Sequence, residues 1–191
     1  MTGEYKYSKE WFLCSEIKDR IMAFMDASAE HHILEIGCFE GLSSVFFADN
    51  LLHHPRSRMI CVDPFLDIDD NDHASLLEDG VEGRFDHNIS VCGNSEKITV
   101  HKTTSDAFFA SRDDPGMFNL IYIDGSHMCD QITKDMENCF RVLSPGGIMW
   151  MDDYRGGYGG QIKQTMDAFL DTYQGQYDTI HEGYQLAVKK H

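Results

Sequence analysis

The clearest indication of the fold is one stretch of sequence, Ile33-Leu34-Glu35-Ile36-Gly37-Cys38-Phe39-Glu40-Gly41-Leu42-Ser43-Ser44. It begins with an apolar run typical of a buried strand, passes through a turn with two glycines, and continues into a segment compatible with a helix. Glycine allows a backbone to approach a ligand, and the free N–H groups at a helix start attract a negative group. The stretch therefore predicts a strand, a ligand-binding turn and a helix in succession.

The same alternation of apolar run and helical segment continues along the chain. Further apolar runs lie at Met59–Val62, Ile98–Val100, Phe118–Ile123 and Ile148–Met151. Helices are predicted at about Leu42–Leu52, His73–Cys92, Ser105–Arg112 and Met128–Leu143, after an amphipathic first helix that ends near Ala27. Ser144-Pro145-Gly146-Gly147 is predicted to form the turn before the fifth strand. This alternation is typical of a three-layer α/β fold with a mostly parallel sheet.

The C-terminal part follows a different pattern. A helix over Gln161–Tyr173 precedes two β-like runs, Tyr177–His181 and Tyr184–Lys189, which Glu182-Gly183 separates. Two such runs joined by a tight turn predict an antiparallel hairpin, which brings the expected sheet to seven strands. At 191 residues, the chain is expected to form one domain over residues 1–191.

Charge and cysteine usage narrow the classes of function. The chain carries 32 acidic against 16 basic residues, and the resulting net charge of −16 repels phosphate backbones, so no nucleic-acid partner is expected. Its six cysteines show no C-x-x-C spacing and lie mostly in apolar stretches, as reduced thiols of a cytoplasmic protein do. Charged residues interrupt the apolar runs near the N-terminus, so we expect neither a signal peptide nor a membrane partner.

Asp63 indicates which kind of ligand the turn after the first strand would bind. It follows the second strand, twenty-two residues past Gly41, where a carboxylate would hold the ribose hydroxyls of a nucleoside cofactor. The spacing and the glycine turn together favour cofactor binding. The alternative is a purely structural turn with a solvated Asp63.

These segments together resemble class I S-adenosyl-L-methionine (SAM)-dependent methyltransferases over nearly the whole chain. The resemblance is carried by Glu35-x-Gly37-x-x-x-Gly41, Asp63, Tyr122-Ile123-Asp124-Gly125 and Leu143-Ser144-Pro145-Gly146-Gly147, and by the C-terminal hairpin. A dinucleotide fingerprint would need G-x-G-x-x-G, whereas Cys38-Phe39 stands where its middle glycine would be. The resemblance thus implies a Rossmann-like methyltransferase fold that binds SAM rather than NAD.

The resemblance also implies roles for individual residues in cofactor binding. Glu35, Gly37 and Gly41 would line the methionine end, next to Asp124, while Ser43 and Ser44 would donate to the methionine carboxylate. Asp63 would accept from both ribose hydroxyls. Ser105 and Asp106, after the third strand, are candidates for contact with adenine, and their alternative role is to cap a helix.

Three carboxylates are expected to meet at the ends of neighbouring strands. Asp124 ends the fourth strand, and Asp152 and Asp153 end the fifth. Their mutual repulsion would be relieved by a hard divalent cation such as Mg²⁺ or Mn²⁺, which prefers oxygen ligands. The alternative is that Asp152 and Asp153 are exposed loop acids and Asp124 is a capping group.

Asp124-Gly125-Ser126-His127 and Asp152-Asp153-Tyr154 most resemble the metal-dependent O-methyltransferases of sugar hydroxyls, including macrolide-sugar tailoring enzymes. This likeness implies that Asp124, Asp152 and Asp153 bind the metal and that His127 is the general base; the alternatives are a structural His127 and a carboxylate base. The expected activity is methyl transfer to a sugar or polyol hydroxyl, with a small molecule or glycan as acceptor. A catechol-like acceptor, a non-catalytic cofactor-binding module and a homo-oligomer stay open.

The glycine-rich segment Tyr154–Gly160 follows the expected metal ligands directly. Its tyrosines are candidates for stacking on a sugar ring if the segment closes over the acceptor. The alternative is an ordinary flexible loop.

Overall fold

The computed structural model describes residues 4–66, 80–111, 117–156 and 158–191. In this part of the chain, seven strands form one sheet in the order β3-β2-β1-β4-β5-β7-β6. Strands β1 to β5 pair in parallel, and β7 runs antiparallel to both β5 and β6. The strands are β1 His32–Ile36, β2 Arg58–Val62, β3 Ile98–His101, β4 Phe118–Ile123, β5 Leu143–Met151, β6 Tyr177–Glu182 and β7 Leu186–Lys190. The predicted mostly parallel sheet with a C-terminal antiparallel hairpin is confirmed.

Helices cover both faces of this sheet. They are α1 Glu16–Arg20, α2 Leu42–Leu51, α3 Val81–Val91, α4 Ser105–Ala110, α5 Cys129–Val142 and α6 Gln161–Thr172. One apolar core lies between the sheet and α2, α3 and the segment before β1, and it contains Tyr122 and Trp150. The other lies between the sheet and α4, α5 and α6. Among the helices described, none combines the length and apolar character that a membrane crossing requires.

One predicted helix differs from the structure, and another is described only in part. The first is not continuous, because Ser15 is extended (φ −72°, ψ 144°) and separates a 3₁₀ turn over Trp11–Cys14 from α1. A second 3₁₀ turn, Ile21–Ala23, follows α1 directly. The first part of the helix predicted over His73–Cys92 lies outside the described residues, and the described part is α3.

The segment predicted as a turn before the fifth strand belongs to that strand. β5 already begins at Leu143, and its pairing with β4 shifts register between Phe118 and Leu120. Gly146 has a φ of +76°, which is why an irregular strand needs glycine at that position. The two glycines therefore lie within β5 rather than in a turn before it.

The order of the strands determines where a ligand can bind. The chain builds the sheet outward from β1 through β2 to β3, and then returns to place β4 on the other side of β1. In α/β sheets of this kind the crevice lies at the carboxyl ends of the strands, where the order reverses. Gly37, Asp63, Asp124 and Asp152 each directly follow a strand at this edge.

Candidate active site

The turn after β1 is built around close contact between two backbones. Gly37 has a φ of +83°, and its N–H donates to the Val62 carbonyl at 2.9 Å. A Cβ atom at this position would lie 2.0 Å from the Asp124 carbonyl oxygen, so a side chain does not fit there. The sequence predicted that Gly37 allows the backbone to approach a ligand. In the structure, the group that it approaches is the main chain of Asp124.

Asp63, which directly follows β2, accepts hydrogen bonds from the backbone of this turn. Its Oδ2 accepts hydrogen bonds from the backbone N–H groups of Cys38 at 2.7 Å and Phe39 at 3.0 Å, and its Oδ1 accepts from Phe65 at 2.7 Å. Burial raises the pKa of this carboxyl despite these bonds. A carboxylate has about four acceptor positions, and three are occupied here. The predicted contact with both ribose hydroxyls therefore requires one of these bonds to be replaced.

Glu35 and Ser44 lie beneath the turn rather than in its cavity. Glu35 is fully buried, and its two carboxylate oxygens accept from the hydroxyls of Ser43 and Ser44 in the first turn of α2. The Cys61 thiol also donates to Oε2, at 3.6 Å. Burial raises the pKa of Glu35 to about 7. The predicted contacts of Glu35 and Ser44 with the methionine end are thus replaced by contacts between β1 and α2.

A cavity of about 100 Å³ opens in front of the turn. Gly37, Ser43 and Asp124 line one side of it, and Lys9 and Trp11 of the N-terminal segment line the other. Binding sites for whole cofactors usually measure 300 Å³ or more, so the cavity has room for the amino-acid end of a cofactor.

Gly41 lies at the start of α2 with a φ of +81°, where a Cβ would be 3.0 Å from the Phe85 ring.

The N-terminal segment closes this cavity, which sequence reasoning did not predict. The Trp11 ring stacks on Phe39 of the turn, with centroids 5.1 Å apart. The hydroxyl of Ser8 donates to Glu40 at 2.6 Å, and the Glu40 carboxylate also accepts from Arg84 on α3. These contacts join residues far apart in sequence, so no local sequence pattern predicts them.

Ser105 and Asp106 lie at the start of α4 and contact α5 instead of the cavity. The Gln131 side-chain amide donates to Ser105 Oγ at 3.1 Å and to Asp106 Oδ1 at 3.0 Å. The cap of α4 is Thr104, whose Oγ1 accepts from the Ala107 N–H at 3.2 Å. The structure therefore moves the predicted capping role one residue earlier.

Three carboxylates meet where β4 and β5 end. One oxygen each of Asp124, Asp152 and Asp153 lies within 4.8 Å of the others. The strands place them there, because the Asp152 N–H donates to the Ile123 carbonyl at 2.9 Å and continues the pairing of β4 with β5. Burial, and then repulsion between the neighbouring acids, raises the pKa of Asp124 and of Asp152.

Each of these three acids accepts a hydrogen bond from an uncharged side chain outside the cluster. The Tyr122 hydroxyl donates to Asp124 at 3.0 Å, the Gln185 amide donates to Asp152 at 2.7 Å, and the Tyr184 hydroxyl donates to Asp153. These donors orient the carboxylates without neutralising their charge. Tyr184 and Gln185 come from the loop between β6 and β7, and no sequence pattern indicates their role.

His127 lies against the same cluster. Its Nε2 is 2.9 Å from Asp153 Oδ2, and its ring stacks on the exposed Tyr158 with centroids 4.5 Å apart. The other tyrosine of the glycine-rich segment, Tyr154, is buried, and its hydroxyl donates to Asp167 at 2.8 Å. Of these two tyrosines, only Tyr158 is therefore placed to contact a ligand.

A second cavity, of about 20 Å³, has the three acids and His127 in its lining, together with apolar side chains such as Ile162 and Met166. This volume suffices for one water molecule or one ion. Asp124 lines both this cavity and the larger one in front of Gly37. A ligand in one cavity and a ligand in the other would therefore meet at Asp124.

Residues 34–154 match the model of a protein family described as a methyltransferase domain. The chain belongs to this family. The match extends from β1 past the end of β5, so the methyltransferase domain includes Gly37, Asp63 and the three acids at the ends of β4 and β5. No curated protein matches the chain.

Solved structures share the fold of this methyltransferase domain at low sequence identity. A candidate rRNA methylase from Clostridium thermocellum aligns with a TM-score of 0.65 and 17% identity over 91% of this chain and 92% of its own. An O-methyltransferase from Bacillus cereus, solved with SAH, gives 0.58 and 15% over 84% and 74%. The O-methyltransferase TomG from Streptomyces achromogenes, involved in tomaymycin synthesis and solved with SAM, gives 0.61 and 17% over 86% and 74%.

Proposed function

We propose that the protein is a SAM-dependent O-methyltransferase in which a divalent cation and His127 activate the acceptor hydroxyl. The observation that carries this proposal is the position of the three acids. Asp124, Asp152 and Asp153 approach one another within 4.8 Å, and Asp124 also lines the cavity in front of the glycine turn. A methyl donor in this cavity would then lie next to a cation held by the acids and to the hydroxyl that the cation binds, which is what direct displacement requires.

The cavity in front of Gly37 supports SAM as the methyl donor. Its lining offers Lys9 to a carboxylate, and Trp11 and Phe39 supply apolar surface. Asp63 keeps one acceptor position for a ribose hydroxyl. Two of the solved structures with this fold contain SAM or SAH, which is consistent with the proposal.

The acid cluster fits a hard divalent cation such as Mg²⁺ or Mn²⁺. Carboxylate oxygens are the ligands that such cations prefer, and the cavity between the three acids has the volume of a single ion. Asp124, Asp152 and Asp153 would hold the cation. When bound there, it would lower the pKa of a coordinated hydroxyl and orient that hydroxyl toward the methyl donor.

His127 is the proposed acceptor of the hydroxyl proton. Its contact with Asp153 orients the ring beside the acid cluster, where a base is required. The exposed Tyr158 and Tyr184 rings next to the acids offer faces on which a sugar or polyol can pack. We therefore favour a sugar or polyol hydroxyl as acceptor, and a catechol-like hydroxyl is the second candidate.

The test is methyl transfer from SAM to a library of sugars, polyols and catechols, followed by mass spectrometry. We expect methylated product with Mg²⁺ or Mn²⁺ and none after treatment with EDTA, while calorimetry shows unchanged SAM binding. Asp152→Asn should raise the Mg²⁺ concentration needed for half-maximal rate. The control variant Asp130→Asn changes an exposed acid in the first turn of α5 and should behave like the wild type.

Each outcome of this test has a distinct meaning. Full activity in the presence of EDTA would contradict metal assistance. SAM binding without transfer to any acceptor of the library would favour a cofactor-binding module. Methylation of catechols alone would favour the second candidate.

A further inference from the structure

Gln185, which directly precedes β7, carries a fully buried side-chain amide with partners at both ends. Its Oε1 accepts hydrogen bonds from the Ile17 backbone N–H at 2.8 Å and from the Trp150 indole N–H at 2.9 Å. Its Nε2 donates to Asp152 Oδ1 at 2.7 Å and lies 3.4 Å from the Tyr122 hydroxyl. One side chain thus links the acid cluster to the segment before β1 and to the core of β5.

The chemistry of these partners determines the orientation of the amide. A backbone N–H and an indole N–H can only donate, so the atom facing them must be the carbonyl oxygen. A flipped amide would oppose donors to donors at one end and place Oε1 against the Asp152 carboxylate at the other. The amide N–H therefore has to point at Asp152.

This bond sets the rotation of the Asp152 carboxylate. With Oδ1 held by Gln185, the position of Oδ2 relative to Asp124 and Asp153 is determined as well. The anchor behind Gln185 is rigid, because Ile17 contributes its main chain and Trp150 is a fully buried side chain. The Gln185 N–H adds a second attachment by donating to Glu16 Oε2 at 2.8 Å.

We infer that Gln185 is a positioning residue, which orients Asp152 so that the three acids bind one divalent cation. The inference rests on the proposed function, since it assumes that the acids bind a cation. Residues that hydrogen-bond to metal ligands from outside typically change metal affinity about 10- to 100-fold when they are replaced. Gln185 would act through Asp152 and would contact neither substrate nor cofactor.

The experiment measures Mn²⁺ binding to the protein alone by the electron paramagnetic resonance of free Mn²⁺. Gln185→Met keeps a similar side-chain length and removes the donor, so we expect the Mn²⁺ dissociation constant to rise about 10- to 100-fold. Val188→Ala is the control, because Val188 is equally buried on β7 and lies in the apolar core, where its truncation costs stability. Its Mn²⁺ affinity should stay within about twofold of the wild type, and circular dichroism should verify that both variants are folded.

A second measurement covers the case in which Gln185→Met does not fold. The side-chain ¹⁵N–¹H₂ signals of Gln185 in the wild-type protein should exchange slowly with D₂O, because the amide is buried at both ends. They should also shift when Mg²⁺ is added and saturate with it. Side-chain signals that do not respond to saturating Mg²⁺ would overturn the inference.

The outcomes separate this inference from the proposed function. If the wild type binds Mn²⁺ and folded Gln185→Met binds it equally well, the positioning role is wrong and metal assistance stands. If the wild type itself does not bind Mn²⁺, both are overturned. Weaker binding in Gln185→Met together with normal binding in Val188→Ala supports both.

Discussion

Replacing Glu35 with glutamine should remove the part of the pH dependence of stability that comes from the Glu35 carboxyl. Glu35 is fully buried, and burial raises its pKa from the ordinary 4.5 to about 7. Because the folded state holds this proton more tightly than the unfolded state, Glu35 stabilises the fold fully below about pH 4.5. That contribution is lost as the pH rises through about 7.

The size of the effect follows from the two pKa values. Their difference of about 2.5 corresponds to about 3.4 kcal/mol, of which about 2.5 kcal/mol is lost between about pH 5 and pH 8.5. In Glu35→Gln this loss should be absent, because an amide that does not titrate replaces the carboxyl. Other buried carboxyls, such as Asp63 and Asp135, are present in both proteins and cancel in the comparison.

Urea unfolding at about pH 5 and pH 8.5, in EDTA, measures the difference. Over this range the free energy of unfolding of the wild type should fall by about 2.5 kcal/mol more than that of Glu35→Gln. Glu137→Gln, which changes an exposed glutamate on α5, should follow the wild type. Equal pH dependence in the wild type and Glu35→Gln would refute the claim that burial holds this proton.

Three further substitutions test the turn and the site. Asp63→Ala removes the acceptor of three backbone N–H groups, so SAM affinity should fall about 10- to 100-fold in calorimetry, and unchanged affinity would contradict the role of this turn. Gly37→Ala would place Cβ 2.0 Å from the Asp124 carbonyl oxygen, so thermal unfolding should show a loss of more than about 3 kcal/mol, and a stability equal to the wild type would be incompatible with this contact. His127→Ala should lower turnover about 10²- to 10⁴-fold with SAM affinity intact, and normal turnover would assign His127 to structure.

Much of the sheet could be predicted because its signals are local. The apolar runs at 33–36, 59–62 and 118–123 agree with β1, β2 and β4 to within one residue, since buried parallel strands consist almost entirely of apolar residues. The meeting of Asp124 with Asp152 and Asp153 was also predictable, because parallel strands end at one edge of the sheet.

The partners of these residues could not be predicted, because they depend on contacts between distant segments. Glu35 was expected at the cofactor, but its buried carboxylate accepts hydrogen bonds from Ser43 and Ser44 on α2. Nothing near Gln185 in the sequence indicates that it reaches Asp152. The break at Ser15 is similarly invisible, because the apolar spacing around it is compatible with a continuous helix.

The bonds between the segment before β1 and the loop before β7 have a consequence for biosynthesis. They join Ile17 and Glu16 to Gln185, pairs that are 168 and 169 positions apart. On the ribosome, β1 to β5 are synthesised before the residue that orients Asp152. A nascent chain that ends before Tyr184 therefore contains all three acids but lacks the Gln185 amide that donates to Asp152. If the acids bind a cation as proposed, their full affinity would be reached only after the segment before β1 and the loop before β7 have met.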